Sequence, residues 1–218
     1  MNHPKIFDPT IQSNFEKILQ GKLQSSTEFA SQRVIHSPRA VGDIVQEIIA
    51  EEIVNCFPDG LIAEYSQSFA RRAMADVAFV DNENNYFCID IKTHNQSTTF
   101  NMPNLTSVER LARFYEDDSN FFVILLVEYN INNNQIQFIN IQFNPIEFLD
   151  WSCLTIGALG WGQIQITNSN NVIIIPQLRK QWMLKLCDTL DIFYPKEISK
   201  ITQRINRFQS IRNFWLKK

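Results

Sequence analysis

Along residues 41–56 the apolar side chains Val41, Ile44, Val45, Ile48, Ile49, Ile53 and Cys56 recur at steps of three and four. That spacing predicts a helix with one packed face, and Pro58-Asp59-Gly60 is the signal that ends it. Three short strands are expected next, at residues 61–67, 74–80 and 86–92, with the polar run at 81–85 as the turn between the second and third. A second helix is predicted after Pro103-Asn104, where Thr106 and Glu109 have the spacing of a capping box and Leu105, Val108, Leu111, Ala112 and Tyr115 supply its apolar face. Residues 120–129 form an apolar run suited to a strand buried on both faces, and residues 135–142 pair with it across the asparagine-rich stretch 130–134. Another short pair is expected from 163–167 and 172–175, and two helices finish the chain. In the last of these, Ile198, Ile201, Ile205, Phe208, Ile211 and Trp215 keep helical spacing. One packed face with cations turned outward is the prediction. No internal repeat and no linker interrupts this order. The expectation is a single α/β domain over residues 1–218, a central mixed β-sheet flanked by helices, with an N-terminal helical region at 1–38 and a basic C-terminal helix at 196–218.

Composition narrows the partners and the chemistry. The chain has 218 residues, is 44% hydrophobic and carries a net charge of -3, which suits a sizeable core and argues weakly against nucleic acid. The average conceals an asymmetry. Residues 196–218 hold seven basic side chains against one acidic, an excess of six positive charges, and the remainder of the chain has an excess of nine negative ones. No apolar run reaches membrane-spanning length and no apolar leader follows Met1, so a cytoplasmic protein with no membrane partner is expected. The four cysteines are far apart in apolar surroundings, and reduced, buried thiols are predicted. With three histidines, six glycines, no metalloprotease helix motif, no serine elbow and no phosphate loop, zinc hydrolases, serine hydrolases and nucleotide-dependent enzymes lose most of their support.

The informative stretch is Ala75-Asp76-Val77-Ala78-Phe79-Val80, a turn, then Tyr86-Phe87-Cys88-Ile89-Asp90-Ile91-Lys92-Thr93. Alternation along a strand puts Asp90 and Lys92 on one face, roughly 6–7 Å apart, with Ile89 and Ile91 on the other. Folding the two strands about Glu83 sets Asp76 opposite Asp90. Two carboxylates across a strand pair repel unless a positive charge lies between them. Either a divalent cation or the Lys92 ammonium can supply it. Mg²⁺ accepts a few carboxylate and carbonyl oxygens and keeps several waters, so Asp76, Asp90 and the Ile91 carbonyl form a candidate metal site. Lys92 beside it can orient an attacking water, the arrangement of metal-assisted phosphodiester hydrolysis. From the preceding helix Glu47 is a further candidate, with Asp43, Glu51 and Glu52 as competitors.

Asp76 followed after a turn by Asp90-Ile91-Lys92 resembles the motif of the PD-(D/E)XK nucleases, with Ala75 where that motif has proline. The resemblance extends to the HincII/EcoRV group of type II restriction endonucleases through Asp90-Ile91-Lys92-Thr93, Pro103-Asn104 before Leu111-Ala112, and Gln163-Ile164-Gln165-Ile166 after Trp161-Gly162. It covers about residues 39–182 and leaves the first 38 unmatched. What it implies is a restriction-endonuclease-like fold and a homodimer that wraps double-stranded DNA and cuts both strands with Mg²⁺. The cut would leave 5′-phosphates at blunt or nearly blunt ends. Asp76 and Asp90 would then hold the metal, Lys92 would serve the water, and Glu47 would be an auxiliary acid.

Sequence reading needs donors and acceptors at the base edges. The polar stretch 95–104 and the segment Gly160-Trp161-Gly162-Gln163 offer them, and the resemblance sets Asn101, Asn104, Trp161 and Gln163 against DNA. Arg204, Arg207 and Arg212 on the basic helix are candidates for phosphates, against the alternative of a solvated helix face. Two other functions compete: a nuclease of the same superfamily that reads DNA structure, as in junction resolution or repair, and a DNA-binding module without catalysis.

Overall fold

The computed structural model describes residues 3–27, 37–65, 75–98, 102–167 and 171–218. Helices α1 (Pro9–Ser26) and α2 (Pro38–Glu52) begin alike, with a capping side chain before a proline. Asp8 accepts from the Thr10 and Ile11 amides and Ser37 from the Ala40 amide. The proline that follows each cap has no amide to satisfy and a φ already suited to the first turn. α2 stops at Glu52, and the remainder of the predicted helix is a 3-10 turn, Val54–Cys56. Gly60, at φ +74°, then reverses the chain into β1 (Ile62–Tyr65), because a positive φ costs a residue without Cβ almost nothing.

β2 (Val77–Asp81), β3 (Tyr86–Asn95), β5 (Asn120–Asn132) and β6 (Gln135–Pro145) join β1 in a five-stranded sheet of order β1-β2-β3-β5-β6. Only the β3/β5 pair is parallel, so the molecule is an α/β protein built on a mixed sheet. The β5/β6 hairpin closes more tightly than the asparagine-rich run predicts. Its loop is Asn133-Asn134 alone, both at positive φ, as a two-residue turn matched to strand twist requires.

Side chains of opposite parity on β3 enter two cores. Phe87, Ile89 and Ile91 pack with α1, α2 and the buried face of β6, whereas Cys88 packs with the elements on the other side. That second side holds a three-stranded sheet of order β4-β8-β7, formed by β4 (Asn104–Ser107), β7 (Leu154–Gly157) and β8 (Gln163–Ile166). α3 (Val108–Phe114) and the start of α4 (Arg179–Trp215) lie there too. β6 is an edge strand, and an unpaired edge is a template for aggregation. α1 covers it with one polar row at four-residue spacing. Gln12, Gln20 and Gln24 donate to the carbonyls of Phe143, Phe138 and Ile136 at 2.6, 2.7 and 2.8 Å, and Glu16 accepts from the Phe143 amide at 2.9 Å.

Several expectations are corrected. Residues 172–175 do not pair with 163–167. Ile174 instead makes a single bridge with Leu149, and β8 takes β4 and β7 as neighbours. The Thr106/Glu109 capping box does not form, because Thr106 is inside β4 and α3 starts from Ser107 without a side-chain cap. The two final helices are one. Pro195 sits inside α4, where it forgoes one intrahelical hydrogen bond. The apolar row of the basic segment is not packed within the chain: Ile198, Ile201, Ile205, Phe208 and Trp215 are exposed. Of the four thiols, Cys56, Cys88 and Cys153 are buried and Cys187 is exposed. Among the described residues no helix is long and apolar enough to cross a membrane.

Candidate active site on strand β3

The hairpin joining β2 to β3 sets the register of the site. Asp81, 1% exposed, accepts from the amides of Glu83 and Asn85 and from the Asn85 side chain at 2.8–3.0 Å, and Asn84 takes the left-handed conformation at the tip. Val77 therefore faces Ile89 and Ala78 faces Cys88, and Asp76 is the residue just before β2, with no paired position of its own on β3. The Asp76 amide donates to the Ile89 carbonyl at 2.9 Å, after which β2 has no further pairing with β3.

Where β2 stops, the edge of β3 at Ile91 has no strand partner on that side among the described residues, and the Asp76 side chain takes its place. One Asp76 oxygen accepts from the Ile91 amide at 2.8 Å. The other accepts from Gln46 Nε2 on α2 at 2.7 Å. By strand geometry the Ile91 carbonyl leaves β3 on the same edge as its amide. Asp90 is 6% exposed. Its Oδ1 accepts from Lys92 Nζ at 2.7 Å, while its Oδ2 is buried with no hydrogen-bond partner. Burial pushes the Asp90 carboxyl up to about 7, the Lys92 ammonium opposing that rise and the Asp76 charge adding to it.

Among the described residues this site is one positive charge short. Two carboxylates face one ammonium, and an orphaned buried oxygen remains. Those features fit a cation held by Asp76, Asp90 and the Ile91 carbonyl. Among the described residues no group of three His, Cys, Asp or Glu side chains converges at one point, so main-chain oxygen and water would complete the coordination, as Mg²⁺ tolerates.

Glu47 is not brought to the site. It is exposed, because adjacent residues on a helix point about 100° apart, and the turn that aims Gln46 at Asp76 aims Glu47 into solvent. Glu52 is engaged by Lys22 and Asn55, and Asp43 and Glu51 are exposed. Gln46 is the residue that sequence reasoning missed. It sits one turn after Gly42, whose missing side chain lets α2 approach Thr93 on β3, since a Cβ there would stand 3.2 Å from Thr93 Oγ1.

The candidate base-reading residues fall on the three-stranded sheet. Asn104 is exposed on β4 and accepts from Gln165 Nε2 on β8 at 2.6 Å. Gln163 is half-buried on β8. Trp161 is 69% exposed in the β7–β8 turn, where Gly160 and Gly162 have positive φ, and its carbonyl accepts from Tyr194 Oη at 2.7 Å. Gln165 joins this polar patch and was also missed. Asn101 lies outside the described residues. Arg204, Arg207 and Arg212 are exposed on the distal half of α4. No protein-family model matches the chain, and no curated protein matches it either.

Proposed function

We propose that the protein is a Mg²⁺-dependent type II restriction endonuclease with a restriction-endonuclease-like fold, hydrolysing double-stranded DNA as a homodimer. One observation carries this reading: Asp76, bonded to the Ile91 amide, beside Asp90, with Lys92 on Asp90 Oδ1 and Asp90 Oδ2 without a partner among the described residues. Asp76, Asp90 and the Ile91 carbonyl would hold the magnesium ion. Bound there, the ion supplies charge against the phosphoryl oxygens and lowers the pKa of coordinated water.

The side chains perform the remainder of the work. Gln46 and the Ile91 amide hold both Asp76 oxygens, which fixes the plane of that carboxylate before substrate arrives. Lys92 opposes the burial-driven rise of the Asp90 carboxyl and would turn its remaining N–H bonds toward the attacking water. Asn104, Gln163 and Trp161, with Asn101 in the adjoining segment, contact the bases or the groove. Arg207, exposed on the distal half of α4, offers charge to phosphates.

The test is digestion of a sequenced plasmid with Mg²⁺. Discrete fragments with 5′-phosphates are expected. Asp76→Ala, Asp90→Ala and Lys92→Ala should each abolish cleavage while retaining specific DNA binding in Ca²⁺. Cleavage by Asp90→Ala above roughly 1% of wild type would overturn the assignment, since metal-site substitutions typically cost at least two orders of magnitude.

A further inference from the structure

α4 runs from Arg179 to Trp215, about 55 Å at 1.5 Å per residue. Its buried residues are Trp182 and Leu186, both near its start. Beyond Tyr194 every residue of the helix is exposed except the half-buried Glu197 and Ile211. A helix projecting this far gains nothing from tertiary packing, the main source of helical stability in proteins. Yet Ile198, Ile201, Ile205, Phe208 and Trp215 are 49–68% exposed.

Those residues keep a three-and-four spacing that begins at Leu184 and passes through Cys187, Asp191 and Tyr194, with Arg212 at the position between Phe208 and Trp215. This is the period of a helix–helix seam. We propose that the stripe is the seam of an antiparallel helix pair between two copies of the chain, with Ile198 of one copy against Ile201 of the other.

Charge selects both the occupant and its direction. The acidic side chains of α4, Asp188, Asp191 and Glu197, precede the arginines of its distal half, Arg204, Arg207 and Arg212. A parallel pair would stack Arg212 on Arg212 within the seam. An antiparallel pair in the stated register sets Glu197 of each copy beside Arg204 of the other and Asp191 near the other's Arg212. The same register places Leu184, 56% exposed, against Trp215 of the second copy. Lys200, Arg207 and Lys217 remain outward. The exposed apolar surface of the stripe amounts to roughly 700 Å² per copy, close to the area of a standard stable interface.

The seam rests on exposure, period and charge order, and it holds whether or not the chain cuts DNA. Sedimentation of the full chain at tens of micromolar, in EDTA and without DNA, should report twice the monomer mass. Ile201→Glu combined with Phe208→Glu should raise the dimer dissociation constant at least 100-fold. Ile139→Glu, an exposed apolar position on β6, should leave it unchanged. Because both glutamate sites are exposed, circular dichroism should show the body still folded. A monomeric wild type, or a dimer unaffected by the double substitution, overturns the proposal. Direction is read with a short bismaleimide, which joins thiols that lie close together. In the antiparallel seam Cys187 faces Arg212 of the second copy, so Arg212→Cys should crosslink and wild type should not. Crosslinking of wild type through Cys187 alone would establish a parallel pair and overturn the stated arrangement.

Discussion

Asp90 and Gln46 show how single side chains set the chemistry of the site. The folded Asp90 carboxyl is raised from an ordinary 3.8 to about 7, so the native chain keeps a proton that the unfolded chain has already released. The unfolded state therefore binds fewer protons between about pH 4 and 7, and stability falls as pH rises through that window and levels above it. In metal-free protein the drop should be on the order of 2–4 kcal/mol. Asp90→Asn should flatten it, which urea midpoints at about pH 4.5 and 8 would show. A cation bound against the ionised carboxylate displaces that proton, so adding Mg²⁺ near neutral pH should release acid, measurable by titration in weak buffer. Gln46→Leu leaves the charges intact and frees one Asp76 oxygen. Its expected result is a roughly 10–100-fold loss of kcat with little change in DNA affinity, the size of effect found when partners of metal ligands are removed. An unchanged kcat would show that the Ile91 amide alone suffices.

Elements carry the site through two kinds of contact, and they differed in how plainly the sequence announced them. The β2/β3 register from Val77 to Val80 was legible because the hairpin is local and alternation fixes which residues share a face. Gln46 was not, since its role depends on the angle at which α2 crosses β3, and a three-residue step on a helix says nothing about which neighbour it meets. Of the second sheet only the strand at 163–167 was legible. β4 and β7 have only four residues each, and β4 meets β8 across all of β5 and β6, so no local pattern marks that pairing. The polar row of α1 repeats every four residues, yet it went unread in the sequence, because its meaning depends on the open edge of β6. Replacing Gln12, Gln20 and Gln24 by alanine should cost about 1 kcal/mol for each hydrogen bond removed and raise light scattering as the β6 edge becomes available.

The base of α4 is another such contact. Arg179 bonds the buried Glu147 at 3.2 Å and lies over the rings of Tyr115 and Phe121, while the Tyr115 hydroxyl donates to Glu147 at 2.7 Å. Arg179→Ala leaves that carboxylate buried and unpaired, a loss of about 3–5 kcal/mol. Thermal or urea unfolding would measure it.

At the scale of the whole molecule, on the proposed function one Asp76/Asp90/Lys92 set would serve one strand of a duplex, so coordinated cleavage of both strands would need two sets related by a two-fold axis. A palindromic site follows from that symmetry, and end mapping of both strands should return cuts related by the dyad. The outward cations make a separate, sequence-independent contribution. Arg207→Gln should weaken cognate and random DNA alike and make the salt slope shallower by about 0.9, the share of one neutralised phosphate. A slope equal to wild type would leave Arg207 as a solvated side chain.

The two hairpins of the large sheet differ in what they allow an engineer to do. The Asp81 carboxylate counts residues: it grips the amides of Glu83 and Asn85, and one inserted residue there would slide every partner of β3 along by a place. The Asn133-Asn134 tip holds no such count, lying at the end of strands whose register is secured by a long ladder behind it. A fluorophore-bearing peptide or an affinity tag spliced at that tip should leave the protein working, whereas the same splice at residues 82–84 should silence it.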